Sequence, residues 1–198
     1  MTTLLPLSAS TAYSITIPPL QPWELSKLST FSPSGYPGSL PYSSIYATIS
    51  DPNTIPLGKT RFGDASFPPS AVNCSLRWVG FNAVEEPWNI ITPCTGSLNH
   101  GRWTMQMLKP TNNATAGYKP SGTTNFALKF TLEESMMMNN ATLISLVFEA
   151  EKRFAVPDNM SGVCGGSGVC SWGLKDGLGV VLVEQVLKET RCLMGDCY

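Results

Sequence analysis

Acidic residues at alternating positions are the side chains of this sequence with the clearest potential for chemistry. Glycoside hydrolases use two carboxyl groups on opposite sides of a cleft, one as general acid and the other as base or nucleophile. Glu149 and Glu151 share one face of a predicted strand and Glu184 lies on the last predicted strand, so a hydrolase would use these three carboxyl groups. Alternating Glu residues more often mark the solvent face of a strand. We therefore expect a charged surface there.

Other catalytic patterns are missing from the sequence. His100 is the single histidine; it lies in a predicted loop, and no G-x-S-x-G elbow precedes it. The cysteine spacings C-x5-C and C-x4-C lack the C-x2-C knuckle of most structural zinc sites. Glu85-Glu86 and Glu133-Glu134 are interpreted as loop acids. We predict that the protein is not an enzyme and has no metal site and no cofactor.

Aromatic residues indicate a second kind of site. The sequence holds five tryptophans, and exposed aromatic rings on a rigid sheet hold glycans in many binding proteins. The candidates for such a platform are Trp23, Trp88, Trp103 and Trp172. Each lies within or beside a predicted strand, where burial in the core is the commoner outcome. The sequence leaves both roles open.

Six cysteines predict a disulfide framework. Cys74 and Cys94 enclose a segment with two predicted strands, and we expect a bridge between them. The other four form a C-terminal cluster: Cys164, Cys170, Cys192 and Cys197. They can pair locally, as neighbours along the chain, or as a nested set that joins the outer two and the inner two.

The even cysteine count and four Asn-x-Ser/Thr sites favour an oxidising, extracellular compartment and a secreted glycoprotein. The four candidate glycosylation sites are Asn73, Asn113, Asn140 and Asn159. Residues 1–12 combine a short apolar patch with small residues but have no basic start. They are interpreted either as the remnant of a signal peptide or as a disordered start.

Composition narrows the classes of partner. The net charge is −1, and no basic run is longer than Lys152-Arg153, so we predict no nucleic-acid partner. No stretch approaches the roughly 20 apolar residues of a membrane-spanning helix, so we predict no membrane span. The length of 198 residues suits one domain, over residues 13–198.

The strand pattern predicts an all-β fold, and residues 23–53 show it most clearly. An extended run at 23–31 is followed by a Pro/Gly/Ser loop at 32–41 and a strand at 44–50 that ends in a turn. Further strands are predicted at 13–17, 73–79, 88–92, 102–108, 125–132, 142–151, 170–175 and 179–190. Eight or nine strands with short turns predict a disulfide-stabilised antiparallel β-sandwich or barrel.

Three segments complete this prediction. Residues 54–70 are predicted to form a loop, because prolines and glycines interrupt them. Residues 131–140 suggest a helical turn, and the Met136–Met138 run within it is interpreted mainly as core filling. Asp176-Gly177 predicts a hairpin between the last two strands.

Several short motifs resemble those of a known group of proteins. They are Trp23-Glu-Leu, Phe31-Ser-Pro-Ser-Gly-Tyr-Pro-Gly-Ser, Pro41-Tyr-Ser-Ser-Ile, Thr48-Ile-Ser-Asp-Pro-Asn, Cys74, Trp78, Cys94 and Trp103. In layout the chain resembles small secreted cysteine-containing proteins of ascomycete fungi, including the Alternaria major-allergen-like β-barrel group. The resemblance implies an extracellular all-β effector or elicitor with a role in virulence and no enzymatic activity. The present chain is longer and has an additional cysteine-rich C-terminus.

Three functions follow as hypotheses. The first is a secreted fungal effector that binds a host protein or a cell-wall glycan without catalysis. The second is a carbohydrate-binding protein with an aromatic platform. The third is a cell-wall glycoside hydrolase with paired carboxylates.

Overall fold

A computed structural model describes residues 15–60, 62–80, 86–96, 101–110, 119–139 and 142–194, and every regular element among them is a β-strand. The strands are β1 (Trp23–Ser32), β2 (Tyr42–Asp51), β3 (Ile55–Thr60), β4 (Gly63–Phe67), β5 (Ser70–Val79), β6 (Ile91–Pro93), β7 (Gly101–Leu108), β8 (Asn125–Asn139), β9 (Thr142–Ala155), β10 (Met160–Cys164), β11 (Cys170–Leu174), β12 (Val181–Val183) and β13 (Gln185–Met194). The all-β prediction is confirmed.

Two antiparallel sheets form the body of the protein. Sheet I has the order β10-β11-β1-β2-β5, with β12 also paired to β1. Sheet II has the order β13-β9-β8-β7-β6, and β3 and β4 form a separate hairpin. The sheets do not close into a barrel, so the fold is sandwich-like.

Among the described residues, the sheets are linked at the crossing from β12 to β13 and at a β-bridge on β5. Only Glu184 separates β12 of sheet I from β13 of sheet II, so one extended run of chain passes from one sheet to the other. On the far side, Asn73 of β5 forms a β-bridge with Thr95, just beyond β6. The disulfide between Cys74 and Cys94 reinforces this second link.

β1 is the central strand of sheet I. Its residues 29–32 pair with β11 and its residues 23–25 pair with β12, so these two short strands lie end to end along the same edge of β1. The predicted hairpin at Asp176-Gly177 is therefore wrong. Gly177 does adopt a positive φ of 85° in a turn, but the turn passes the chain from one half of β1 to the other.

Alternation along the strands builds the core. Leu25, Ile45 and Ile49 of sheet I point inward with Met105 and Phe130 of sheet II, and all five are essentially inaccessible. Apolar burial of this kind is the main favourable term in folding. The period-two pattern thus sets which face of each sheet is dry.

Two segments fold differently from their prediction because tertiary contacts outweigh local breakers. Residues 54–70 contain the hairpin β3–β4, whose Ile55, Leu57 and Phe67 enter the core. The predicted helical turn at 131–140 is wrong as well, since β8 continues to Asn139 in register with β9. Within that run Met138 is buried and Met137 is exposed.

Smaller differences concern strand ends. Residues 15–17 of the predicted first strand are not in a strand, and residues 13 and 14 lie outside the described part. The predicted strand at 88–92 shrinks to Ile91–Pro93, and 179–190 divides into β12 and β13. Strand β10 was not predicted, because its Met-Ser-Gly-Val-Cys sequence carries no alternation signal.

Candidate functional site

The three candidate carboxylates meet on the outer face of sheet II. Glu149, Glu151 and Glu184 line one open depression of about 220 Å³ together with Lys129 and Val186. The Nζ atom of Lys129 lies 2.7 Å from Oε1 of Glu149. The alternation of Glu149 and Glu151 predicts their common solvent-facing side, whereas the tertiary structure brings Glu184 to them.

The carboxyl groups of this depression lie in ion-paired or exposed surroundings. The general acid of a glycosidase usually lies in apolar surroundings that favour its protonated form. Here Lys129 pairs with Glu149, while Glu151 and Glu184 are exposed to solvent. The geometry therefore gives the hydrolase hypothesis no support.

Further along the same face, opposite charges are paired. The guanidinium of Arg102 lies 3.1 Å from Glu133, Arg191 lies 3.6 Å from the other oxygen of Glu133, and Arg191 also contacts Glu189. The contact with Arg191 lowers the pKa of Glu189. Such exposed pairs contribute little to stability, and they make this face a solvated, charge-balanced surface.

The tryptophans proposed as a platform point into the protein or lie against its core. Trp23 and Trp103 are fully buried, with ring centroids 4.4 Å apart between the sheets. These two cannot stack on a sugar, because they occupy inward positions of β1 and β7. Trp88 and Trp172 are half-buried and pack against the core.

Other aromatic rings occupy the outer face of sheet I. Since Ile45 and Ala47 point inward, Tyr42 and Tyr46 point outward from β2. Phe31 of β1 is in register with Ser44, which lies between the two tyrosines, so its ring is on the same face. We call Phe31, Tyr42 and Tyr46 the sheet I platform.

Small hydroxyl side chains surround the sheet I platform. The strand register places Ser44 and Ser171 beside Phe31, Ser29 and Ser75 beside Tyr46, and Ser161 farther out on the same face. Ser75 is paired with Tyr46 across β2 and β5. The rings stand above these short serine side chains, while the longer side chains of Lys27 and Arg77 reach over Tyr46 and Tyr42. Tyr42 is exposed, and Phe31 and Tyr46 are half-buried.

Polar contacts hold the tyrosines in place. The hydroxyl of Tyr46 donates to Oδ1 of Asn73 at 2.7 Å, and Thr48 Oγ1 donates to the same oxygen at 2.9 Å. The Arg77 guanidinium lies 4.1 Å from the centroid of the Tyr42 ring, a cation–π distance. Fixed rings lose little conformational freedom when a ligand binds.

Sequence reasoning missed this platform because it ranked tryptophan above tyrosine. A signal was present in Tyr42-Ser-Ser-Ile-Tyr46-Ala-Thr-Ile, where apolar residues alternate with Tyr, Ser and Thr. On a strand with one buried face, this alternation assigns the tyrosines to the solvent side. Placing Phe31 beside them required the pairing of β1 with β2.

A buried polar cluster lies where the sheets and the N-terminal segment meet. Oδ1 of Asp51 accepts hydrogen bonds from the backbone N–H and the side-chain amide of Asn53, and from Nε2 of Gln185 at 3.4 Å. Asn53 also exchanges two hydrogen bonds with the backbone of Gln21, at 2.8 and 3.0 Å. The cluster thus joins β2, the segment before β1 and the start of β13.

Glu134 is buried in the same part of the interior, where its carboxyl group interacts with that of Asp51. Its interpretation as a loop acid is wrong, because it occupies an inward position of β8 and is 4% exposed. Gly101 makes room for it, since a Cβ atom there would lie 2.9 Å from Cγ of Glu134. Burial, with the nearby charge of Asp51, raises the pKa of Glu134 to about 8. The carboxyl group is therefore protonated at neutral pH.

Among the four C-terminal cysteines, the bridge between described residues follows the local alternative. Cys74 pairs with Cys94 as expected, and Cys164 pairs with Cys170 across the β10–β11 hairpin. This second bridge rules out the nested arrangement. Cys192 is also disulfide-bonded, and Cys197 lies outside the described residues.

Several other predictions also fall outside the described part. They concern residues 1–12, Glu85, His100, Asn113 and Asn140. Within the described ranges, no three His, Cys, Asp or Glu side chains are grouped as metal ligands.

Comparison with protein-family models, with curated proteins and with solved structures found no match for this chain. Among the residues that the structure describes, no helix has the length and apolar character needed to cross a membrane.

Proposed function

We propose that this protein is an extracellular binding protein without catalytic activity, and that the sheet I platform binds a polysaccharide such as a cell-wall glycan. The observation that carries the proposal is the group of three outward aromatic rings bordered by serines on one face of sheet I. Sugar rings stack on aromatic faces while nearby hydroxyl and amide groups bind the sugar hydroxyls. A fungal effector or elicitor that acts on a cell wall would have these properties.

The shape of the platform favours a polymer over a small sugar. Tyr42 and Tyr46 are four residues apart on one strand, which corresponds to about 13 Å. Phe31 lies to one side of the line between them, in register with Ser44. A ligand that contacts all three rings must extend over several sugar units.

The extracellular part of the proposal is supported by the disulfides. Two bridges, Cys74–Cys94 and Cys164–Cys170, join described residues. Disulfides persist in oxidising compartments and are rare in the cytosol. The bridges are therefore compatible with an extracellular protein.

The test is retention on insoluble polysaccharides. Protein made in the bacterial periplasm, which forms disulfides, is incubated with chitin, cellulose and β-glucan, and the bound fraction is measured. We expect retention on at least one of them and a loss of about twofold to twelvefold in affinity for each of Phe31→Ala, Tyr42→Ala and Tyr46→Ala, as expected from roughly 0.5–1.5 kcal/mol per aromatic contact.

Phe62→Ala is the matched control. Phe62 is 84% exposed in the turn of the β3–β4 hairpin, which belongs to neither of the two large sheets. Its replacement should leave retention unchanged. Absence of retention on every polysaccharide, or an equal loss in Phe62→Ala, would contradict the proposal. A pull-down from host extracts would then test for a protein partner.

A further inference from the structure

The two Asn-x-Ser sites within the described residues use their amide groups in different ways. At Asn159, Oδ1 accepts the backbone N–H of Ala155 at 2.9 Å, and Nδ2 donates to the carbonyl of Arg153 at 2.8 Å. Both polar atoms of this half-buried amide form hydrogen bonds that stabilise the turn between β9 and β10. An N-glycan is attached through Nδ2, the atom that this turn already uses.

Asn73 has the opposite arrangement. It is exposed on the outer face of β5, where Oδ1 accepts the hydroxyl groups of Tyr46 and Thr48. With the oxygen held toward the sheet, the planar amide directs Nδ2 away from these hydroxyls. Among the described residues, Nδ2 makes no hydrogen bond. Ser75, which completes the site, is exposed on the same face two residues later.

We propose that Asn73 is an N-glycosylation site and Asn159 is not, and that a glycan on Asn73 blocks the sheet I platform. The first part depends only on the geometry of the two amides. The second part rests on the proposed function, because it assigns a regulation to the same face.

The reason for the block is the position of Asn73. It is in register with Thr48 and lies within hydrogen-bond distance of Tyr46. The first sugar on Nδ2 therefore begins beside the Tyr46 ring. An N-glycan is bulky and hydrophilic, so it would occupy the space over the rings that an extended ligand needs. Modified and unmodified forms of the chain would then differ in binding.

Site occupancy is tested in the full chain secreted from a yeast host behind a secretion signal. Mass spectrometry of peptides treated with peptide N-glycosidase identifies each modified asparagine. Ser75→Ala removes the site at Asn73 without changing the Asn73 side chain, and Ser161→Ala is the matched change for Asn159. We expect loss of one glycan in Ser75→Ala and none in Ser161→Ala. An unmodified Asn73, or a modified Asn159, would overturn the site assignment.

The block is tested by polysaccharide retention of the same yeast proteins. Ser75→Ala should bind at least tenfold more tightly than the modified wild type. In protein from the bacterial periplasm, which carries no such glycan, the wild type should bind at least tenfold more tightly than the modified wild type from yeast, and Ser75→Ala measures what the Ser75 hydroxyl itself contributes. Equal binding of the modified and unmodified forms would overturn the block alone. If the bacterial protein binds no polysaccharide, the proposed function and the block both fail, whereas the site assignment is judged by mass spectrometry.

Discussion

Asp51 of sheet I and Glu134 of sheet II are two buried carboxyl groups that interact inside the sandwich. Asp51 accepts hydrogen bonds from Asn53 and Gln185, whereas burial, more than the charge of Asp51, raises the pKa of Glu134 to about 8. Two carboxylates in one low-dielectric interior repel each other, so one of them keeps its proton. The pair therefore couples stability to pH.

Stability should fall as pH rises between about 4.5 and 8. Below pH 4.5 Glu134 is protonated in both the folded and the unfolded chain, so its titration does not change the free energy of unfolding. Above pH 4.5 Glu134 loses its proton in the unfolded chain but keeps it in the folded protein. Each pH unit in this window then costs about 1.4 kcal/mol of unfolding free energy, up to pH 8. Glu134→Gln, which mimics the neutral carboxyl group, should remove this decline, as measured by urea unfolding from pH 4 to pH 9.

Glu151→Gln is the control for this experiment, because Glu151 is exposed on the outer face of sheet II. It should retain the wild-type pH dependence. If Glu134→Gln declines with pH as steeply as the wild type, the titration of buried Glu134 is not the cause.

Removal of the Asn53 side chain should destabilise the protein by about 1–3 kcal/mol, the usual penalty for leaving buried polar partners unsatisfied. Asn53→Ala takes a donor from Asp51 and two hydrogen bonds from the backbone of Gln21. Thermal and urea unfolding at pH 6 would measure the change. Asn73→Ala, at an exposed asparagine, should change stability by less than about 0.5 kcal/mol; equal effects would contradict the role of the buried cluster.

The two described disulfides should differ in their contribution to stability. Loop-closure entropy predicts about 3 kcal/mol for Cys74–Cys94, which closes 20 residues, and about 2 kcal/mol for Cys164–Cys170, which closes 6. Cys74 is also buried at the link between the sheets. The double variants Cys74→Ala/Cys94→Ala and Cys164→Ala/Cys170→Ala are compared by unfolding midpoint. A larger loss in the second variant would contradict this ranking.

The acidic depression on sheet II should not support hydrolysis. Incubation with chitin, cellulose and β-glucan should release no reducing sugar, and Glu149→Gln should change stability by less than about 1 kcal/mol, as for other ion pairs that solvent can reach. Release of sugar that disappears in Glu149→Gln or Glu184→Gln would restore the hydrolase hypothesis. Lys188→Gln on β13 serves as a charge-change control, because Lys188 is exposed outside the depression.

The acidic depression and the sheet I platform show which residue positions the sequence pattern of a single strand can predict and which it cannot. Glu149 and Glu151 could be assigned to one face of a strand because alternation is a property of a single strand. Whether Glu184 joined them depended on the chain crossing between sheets at that residue. The position of Phe31 beside the two tyrosines depends on the register of β1 against β2, which the sequence pattern of one strand does not predict.

Glu134 shows the opposite case, where the local pattern misleads. Two adjacent Glu residues before a methionine run resemble a solvated turn, but β8 continues and its alternation turns Glu133 outward and Glu134 inward. Long-range pairing with β9 and the space left by Gly101 decide this position.

By itself, the sequence determined the all-β class, most of the strands and the Cys74–Cys94 bridge, because these depend on side-chain period, turn residues and short separations along the chain. Only the tertiary structure decided that β11 and β12 share one edge of β1, that Trp23 and Trp103 are buried while Tyr42 and Tyr46 face solvent, and that Asp51 meets Glu134. These relationships join residues far apart in the chain, and the free energy that selects them comes from burying whole faces of two sheets together.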